Sequence, residues 1–364
     1  MKQKIGFIGL GLIGGSIAKA IRQYHPDIEI VAFDKNKETL ALATQESVID
    51  VAATTIDDNF YHCRYLFLCA PVSCNSAYLK QLVRYLDQDC ILTDVGSVKS
   101  HIHQEVSRLG IEASFIGGHP MAGSEKSGYA NSKAMLLENA YYVLTPTDQV
   151  SQEKIEAYSG FVQSLKALPI LLDAATHDYV TGTISHLPHI IAASLVELVK
   201  DTDTKDELMK NLAAGGFKDL TRIASSSPTM WQHICTQNKE NLTKILDAYI
   251  DSLKTARDHI SSGDGQWVYQ LFDISRNYRN SISDTSSGPI KKAYAVYCDI
   301  IDEAGGIAAI ATILASGGIN IKNIGIVHNR EFEEGVLRIE FYEESASKKA
   351  AGLLQKFRYI VYER

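Results

Sequence analysis

Positive charge is scarce in this chain: 36 lysines and arginines face 43 acidic residues, for a net charge of -7. That balance argues against nucleic acid or an anionic membrane as a partner. A small anionic substrate stays open, because one local arginine can hold a carboxylate inside an acidic protein. Long apolar runs are also missing, and without about 18 consecutive apolar residues no membrane-spanning segment is expected. The six cysteines, at 63, 69, 74, 90, 235 and 298, form no CxxC pair and no regular framework. Reduced thiols and a cytoplasmic setting follow as expectations. A basic start, Met1-Lys2-Gln3-Lys4, imitates a secretory signal, but four glycines between Gly9 and Gly15 argue against one.

What remains is ordinary globular material, 45% hydrophobic and 22% charged over 364 residues, enough for roughly two or three domains. A short apolar strand is predicted over residues 5–10, overlapping Gly9-Leu10-Gly11-Leu12-Ile13-Gly14 and leading into a helical pattern. In that context GxGxxG is a dinucleotide fingerprint. Its first glycine allows the tight turn, the second lets backbone approach a pyrophosphate, and the third lets helix and strand pack closely. A second strand over residues 28–33 ends at Asp34, about where an acid meets the adenosine ribose. That carboxylate would repel a ribose phosphate, so NAD is expected over NADP. Gly9, Gly11, Leu12, Ile13, Gly14 and Asp34, with Ala70 and Pro71 after a third strand, are the expected cofactor residues.

The βα alternation continues through a strand over 90–94 to Ser97, which sits at a strand end where an N-cap serine would also be at home. Next comes Gly117-Gly118-His119-Pro120-Met121-Ala122-Gly123-Ser124-Glu125. An apolar strand over 113–116 should place His119 just past its end, where open α/β sheets bind ligands. From about residue 173 the pattern turns to long helices. His186 and His189, three apart in Ser185-His186-Leu187-Pro188-His189, have a spacing that suits a metal. No third ligand follows and Pro188 interrupts the helix, so no metal is expected. Asp219 and Arg222, also three apart, would share a helical face and let the carboxylate orient the guanidinium. Residues 281–291 read as a polar linker, and 292–364 as a βαββαβ unit of the ferredoxin-like plan.

The motifs GLGLIGGS, DVGSVKS, GGHPMAGSEKSG, SHLPH and GGFKDLTRIASSSPTMW occur here in one order, and together they resemble the prephenate dehydrogenase family of tyrosine biosynthesis. The tail resembles an ACT domain. The resemblance implies an NAD-binding Rossmann-like α/β domain over 1–170, an all-helical substrate and dimerisation domain over 171–285, and an ACT domain over 292–364. It further implies a homodimer that converts prephenate and NAD to 4-hydroxyphenylpyruvate, carbon dioxide and NADH. In that family's terms His119 accepts the ring hydroxyl proton and Ser97 bonds both that hydroxyl and the imidazole. Arg222 clamps a substrate carboxylate, Asp219 orients Arg222, His186 binds near the side chain, and Glu125 sits at the pocket mouth. Gly305, Ile307, Asn320 and Ile321 would face an inhibitory tyrosine between two tails. Ala304 departs from the pattern where the family often has proline, and loosens that turn. Arogenate (cyclohexadienyl) dehydrogenase is the nearest alternative, a different small-acid dehydrogenase with the same cofactor domain is another, and a non-catalytic amino acid sensor is a remote one.

Overall fold

Five apolar runs pair in parallel in the order β3-β2-β1-β4-β5, namely β1 (Lys4–Ile8), β2 (Glu29–Phe33), β3 (Val51–Ala53), β4 (Tyr65–Leu68) and β5 (Ile91–Asp94). β4 and β5 are buried along their whole length and β1 nearly so, which is why they read as continuous apolar runs rather than alternating ones. Helices cover both faces. Ile17 and Ile21 of the helix Leu12–Tyr24 lie in the core on one side, and Leu79 and Leu82 of the helix Val72–Leu82 in the core on the other. The structure, a computed structural model, describes residues 3–123, 126–282, 294–300, 304–327 and 335–363. They divide into two compact units, Met1–Asn280 and Ser281–Arg364.

The glycine-rich centre of the sequence departs from expectation. Residues 112–114 are a 3-10 turn, and the strand β6 is Ile116–Pro120, so His119 lies inside a strand rather than beyond its end. It pairs antiparallel with β7 (Tyr141–Pro146), which pairs in parallel with β8 (Leu168–Leu171). The glycines signalled a turn, but their task is close packing. A Cβ on Gly117 would lie 2.3 Å from Thr145 Oγ1, and one on Gly118 would lie 2.6 Å from the backbone oxygen of Asp94.

Helices follow from Ala174. Pro188 does not end that stretch, contrary to expectation. It has no N–H to return to the carbonyl of Ile184, and the turn before it widens: Gly182–His186 is π-helical between the helices Ala174–Thr181 and Leu187–Thr202. Among the described residues, Ala174–Thr202 is the one helical stretch long and apolar enough to cross a membrane by length and composition. It also carries buried His177, Asp178 and His186. The helices Gly215–Thr221, Pro228–Gln237, Lys239–Ser261 and Gly265–Ser281 complete this unit.

The second unit has the strands β9 (Tyr294–Ile300), β10 (Asn323–Val327), β11 (Gly335–Phe341) and β12 (Val361–Glu363), all antiparallel in the order β10-β11-β9-β12. The helices Gly306–Ser316 and Glu344–Lys356 add Ile310, Leu314 and Leu354 to its core. The element order is the expected βαββαβ. The polar linker lies mostly outside the described residues.

Gly118→Ala forces its methyl against backbone that cannot rotate away, so stability should fall by about 1–3 kcal/mol. Denaturant titration checks this, and an unchanged midpoint with unchanged slope would contradict the packing argument.

Candidate active site

The C-terminal ends of β1, β2, β4 and β5 open into a cavity of about 990 Å³, whose far wall comes from the helices after residue 174. Gly9, Gly11, Leu12, Ile13, Asp34, Ala70 and Pro71 line it. Gly9 has φ +99°, and a Cβ there would lie 2.9 Å from the backbone of Cys69 and Ala70. Gly11 faces open space, while a Cβ on Gly14 would lie 2.5 Å from the Gly9 oxygen. Gly14 therefore packs helix on strand and is not itself part of the lining. Asp34 Oδ2 accepts from Leu10 N (2.7 Å) and Oδ1 from Asn36 N (2.8 Å), which fixes the acid beside the glycine turn. An open glycine, a helix N-terminus and an anchored carboxylate in one groove fit a dinucleotide with free ribose hydroxyls.

His119 opens onto the same cavity. Its Nδ1 lies 2.8 Å from His177 Nε2, and His177 Nδ1 lies 2.8 Å from Asp178 Oδ1. Asp178 also accepts from the backbone N–H groups of Lys99 and Ser100, each at 2.7 Å. Burial alone would raise its pKa, but hydrogen bonds from His177 and Ser100 hold it below the ordinary carboxylate value. The carboxylate is therefore an acceptor, and the proton positions follow. A neutral His177 that donates from Nδ1 accepts at Nε2, so His119 in turn donates from Nδ1 and keeps a lone pair on Nε2. Burial, then His177, Lys99 and His186, push the His119 pKa well below 6.5. The ring is neutral where most enzymes work, as a base must be.

Behind His119 lies Lys99, wholly buried. Its ammonium pairs with Asp94 and donates to the Gly118 carbonyl at 2.6 Å, while Asp94 Oδ1 accepts from Gly118 N at 3.2 Å. Both backbone groups of Gly118 are thus held by one buried ion pair.

The helical wall brings His186, His189, Arg222 and Trp231 to the cavity. Asn238 Nδ2 donates to His186 Nδ1 at 3.2 Å, so the His186 proton sits on Nε2. That Nε2 and Trp231 Nε1 are buried without a partner among the described residues. Burial lowers the His186 pKa to about 4, so it is a neutral donor. His189 Nδ1–H donates to the Ser185 carbonyl (2.9 Å), and the ring stacks on Trp231 with ring centres 3.9 Å apart.

Ser97, His119, His186 and Arg222, far apart in sequence, thus share one cavity. One expectation needs correction. Among the described residues the His119 ring is hydrogen-bonded to His177 rather than to Ser97. Asp219 is exposed and outside the cavity lining, whereas Arg222, where the helix Gly215–Thr221 meets the 3-10 turn after it, lines the cavity. Glu125 lies outside the described residues. Sequence reasoning left His177, Asp178, Asn238 and Lys99 without roles. The adjacent His177-Asp178 was the one visible signal, since an acid beside a histidine can fix its tautomer.

Two family models match in succession: "Prephenate dehydrogenase, nucleotide-binding domain" over residues 17–171 and "Prephenate dehydrogenase, dimerization domain" over 173–274. A prephenate dehydrogenase of Bacillus subtilis is 37% identical over 352 residues, covering 96% of this chain and 95% of that protein. Among solved structures, prephenate dehydrogenase from A. aeolicus, in complex with hydroxyphenyl propionate and NAD+, superposes with a TM-score of 0.73 at 31% identity, over 78% of this chain and 99% of that one. Arogenate dehydrogenase of Synechocystis gives 0.70 at 30% identity, over 77% of this chain and all of the other.

Because His119 and His186 have pKa values depressed by folding, the unfolded chain binds their protons first, and their share of stability is lost as pH falls below about 6.5. Histidine-selective NMR from pH 8 to 5.5 should find both rings neutral throughout. A midpoint near 6.5 for either ring would mean that burial does not hold it neutral.

Proposed function

This chain belongs to the prephenate dehydrogenase family, and we propose how its residues carry out the NAD-dependent oxidative decarboxylation of prephenate to 4-hydroxyphenylpyruvate. NAD, when bound along Gly9, Gly11 and Asp34, supplies the acceptor for the hydride leaving the hydroxyl-bearing ring carbon. As the hydride leaves, His119 Nε2 takes the hydroxyl proton, and Ser97, which lines the same cavity, holds the hydroxyl. Loss of the ring carboxylate as carbon dioxide then makes the ring aromatic, which supplies the driving force. The resulting phenolate takes the proton back from His119, leaving the base neutral for the next turnover. The single observation that carries this reading is the 2.8 Å contact of His119 Nδ1 with His177 Nε2, which leaves the other ring nitrogen of His119 for the substrate.

The rest of the cavity suits a dianion. Arg222 offers a charged fork for the side-chain carboxylate. His186 Nε2–H and Trp231 Nε1–H are donors that lack acceptors among the described residues, and an unmet buried donor costs about 1–3 kcal/mol. A carboxylate or keto oxygen satisfies them. Asp219 is assigned an indirect role in orienting Arg222. Arogenate is the second reading, favoured by the structural likeness to arogenate dehydrogenase; parallel assays with the two substrates separate them.

The helical part leaves Leu198, Leu253, Phe272 and Ile274 exposed, an apolar surface that a second copy would cover, and the matching model is itself described as a dimerization domain. A homodimer follows. All six cysteines are free thiols, in keeping with a cytoplasmic enzyme.

The tail is assigned as an ACT-like regulatory module that binds tyrosine. Gly305, with φ +96°, caps the helix Gly306–Ser316 at its start, next to Ile307, while Asn320 and Ile321 follow its other end. On this assignment the four residues face one tyrosine at an interface between two such modules.

His119→Asn should lower kcat by about a hundredfold to ten-thousandfold with little change in the prephenate KM. Arg222→Ala should mainly raise that KM, by roughly tenfold to a hundredfold for a lost charge-assisted bond. Exchanged phenotypes would overturn both roles. The acid limb of kcat/KM should lie below the ordinary imidazole value near 6.5. Removing residues 281–364 should abolish tyrosine inhibition, and inhibition that survived would refute the regulatory assignment.

A further inference from the structure

Resting on the reading that His119 takes the substrate proton, we propose that His177, held by Asp178, is the positioning residue that decides which His119 nitrogen is the base. Neutral histidine in water favours the tautomer with its proton on Nε2. On His119 that tautomer would present an N–H to the substrate hydroxyl where a lone pair is required. The chain therefore needs a device that moves the proton to Nδ1. An acceptor beside Nδ1 does this, and His177 Nε2 stands there at 2.8 Å.

His177 can accept only if its own proton is on Nδ1, and Asp178 Oδ1 at 2.8 Å keeps it there. Asp178 cannot swing away, because the same carboxylate receives two backbone N–H groups at 2.7 Å and its own carbonyl receives Asn238 Nδ2 at 2.8 Å. Two other polar groups near His119 are committed elsewhere. Lys99 is held by Asp94 and the Gly118 carbonyl, and His186 Nδ1 by Asn238. His177 and Asp178 are both buried, so water is a poor substitute as acceptor. Once His119 has taken the substrate proton, the same contact lets its positive charge be felt by the carboxylate through His177, without a second proton transfer. His177 touches neither substrate nor cofactor, so its effect falls on turnover.

The test is steady-state kinetics on the full chain with prephenate and NAD for His177→Leu, His177→Gln and, as reference, His119→Asn. Leucine removes the acceptor, whereas the glutamine amide oxygen can take the bond from His119 Nδ1. His177→Leu should lose about a hundredfold or more in kcat, with the prephenate KM and NAD affinity within about twofold of the parent. His177→Gln should recover at least tenfold of that loss. Equal losses in the two variants, or a loss expressed in KM, would overturn the positioning role while leaving His119 as base. A His119→Asn variant with parental turnover would remove the base itself, and the proposal with it. If the leucine variant does not fold, 15N spectra of the parent enzyme decide. An unprotonated His119 Nε2 supports the proposal, and an Nε2–H signal overturns it.

Discussion

One carboxylate ties the two halves of the catalytic unit together. Asp178, on the first helix after the sheets, accepts the first N–H groups of the helix Ser100–Leu109, whose own N-cap residue, Lys99, supplies no side-chain cap. The same group orients His177 and, through it, His119. Capping and catalysis therefore share an anion. This arrangement sets where the helical wall stands relative to the dinucleotide groove, because moving Asp178 would uncover a helix terminus and release an imidazole at the same time.

The buried Asp94–Lys99 pair makes sense in that setting. An ion pair taken out of water is weak evidence for stability, since desolvation offsets most of its attraction. Here both partners also bond the backbone of Gly118, the residue before His119, and Asp94 accepts from Gly96 N as well. The pair is better understood as a fixture for that strand. Its rigidity has a compositional cost: neither Gly117 nor Gly118 has room for a Cβ.

Much of this was legible in the sequence, and the misses share a cause. The GxGxxG turn, Asp34 and the parallel strands were readable because each rests on local pattern. The short strand Val51–Ala53 escaped because three residues carry no periodicity. Gly117-Gly118 was misread as a turn because glycine looks the same whether it supplies a left-handed φ or mere space. Only the neighbours, Thr145 and Asp94, distinguish the two. Ser97, His119, His186 and Arg222 were picked out as residue types in motifs, and the fold brings them to one cavity. His177, Asp178 and Asn238 were not, since their roles exist only across elements that sequence spacing cannot relate.

The most direct test of the central claim is a structure of the full chain with NAD and 4-hydroxyphenylpyruvate. The account places the ligand's ring oxygen within about 3 Å of His119 Nε2 and its side-chain carboxylate on Arg222. The reverse orientation, with the carboxylate at His119 and the ring oxygen at Arg222, would contradict it.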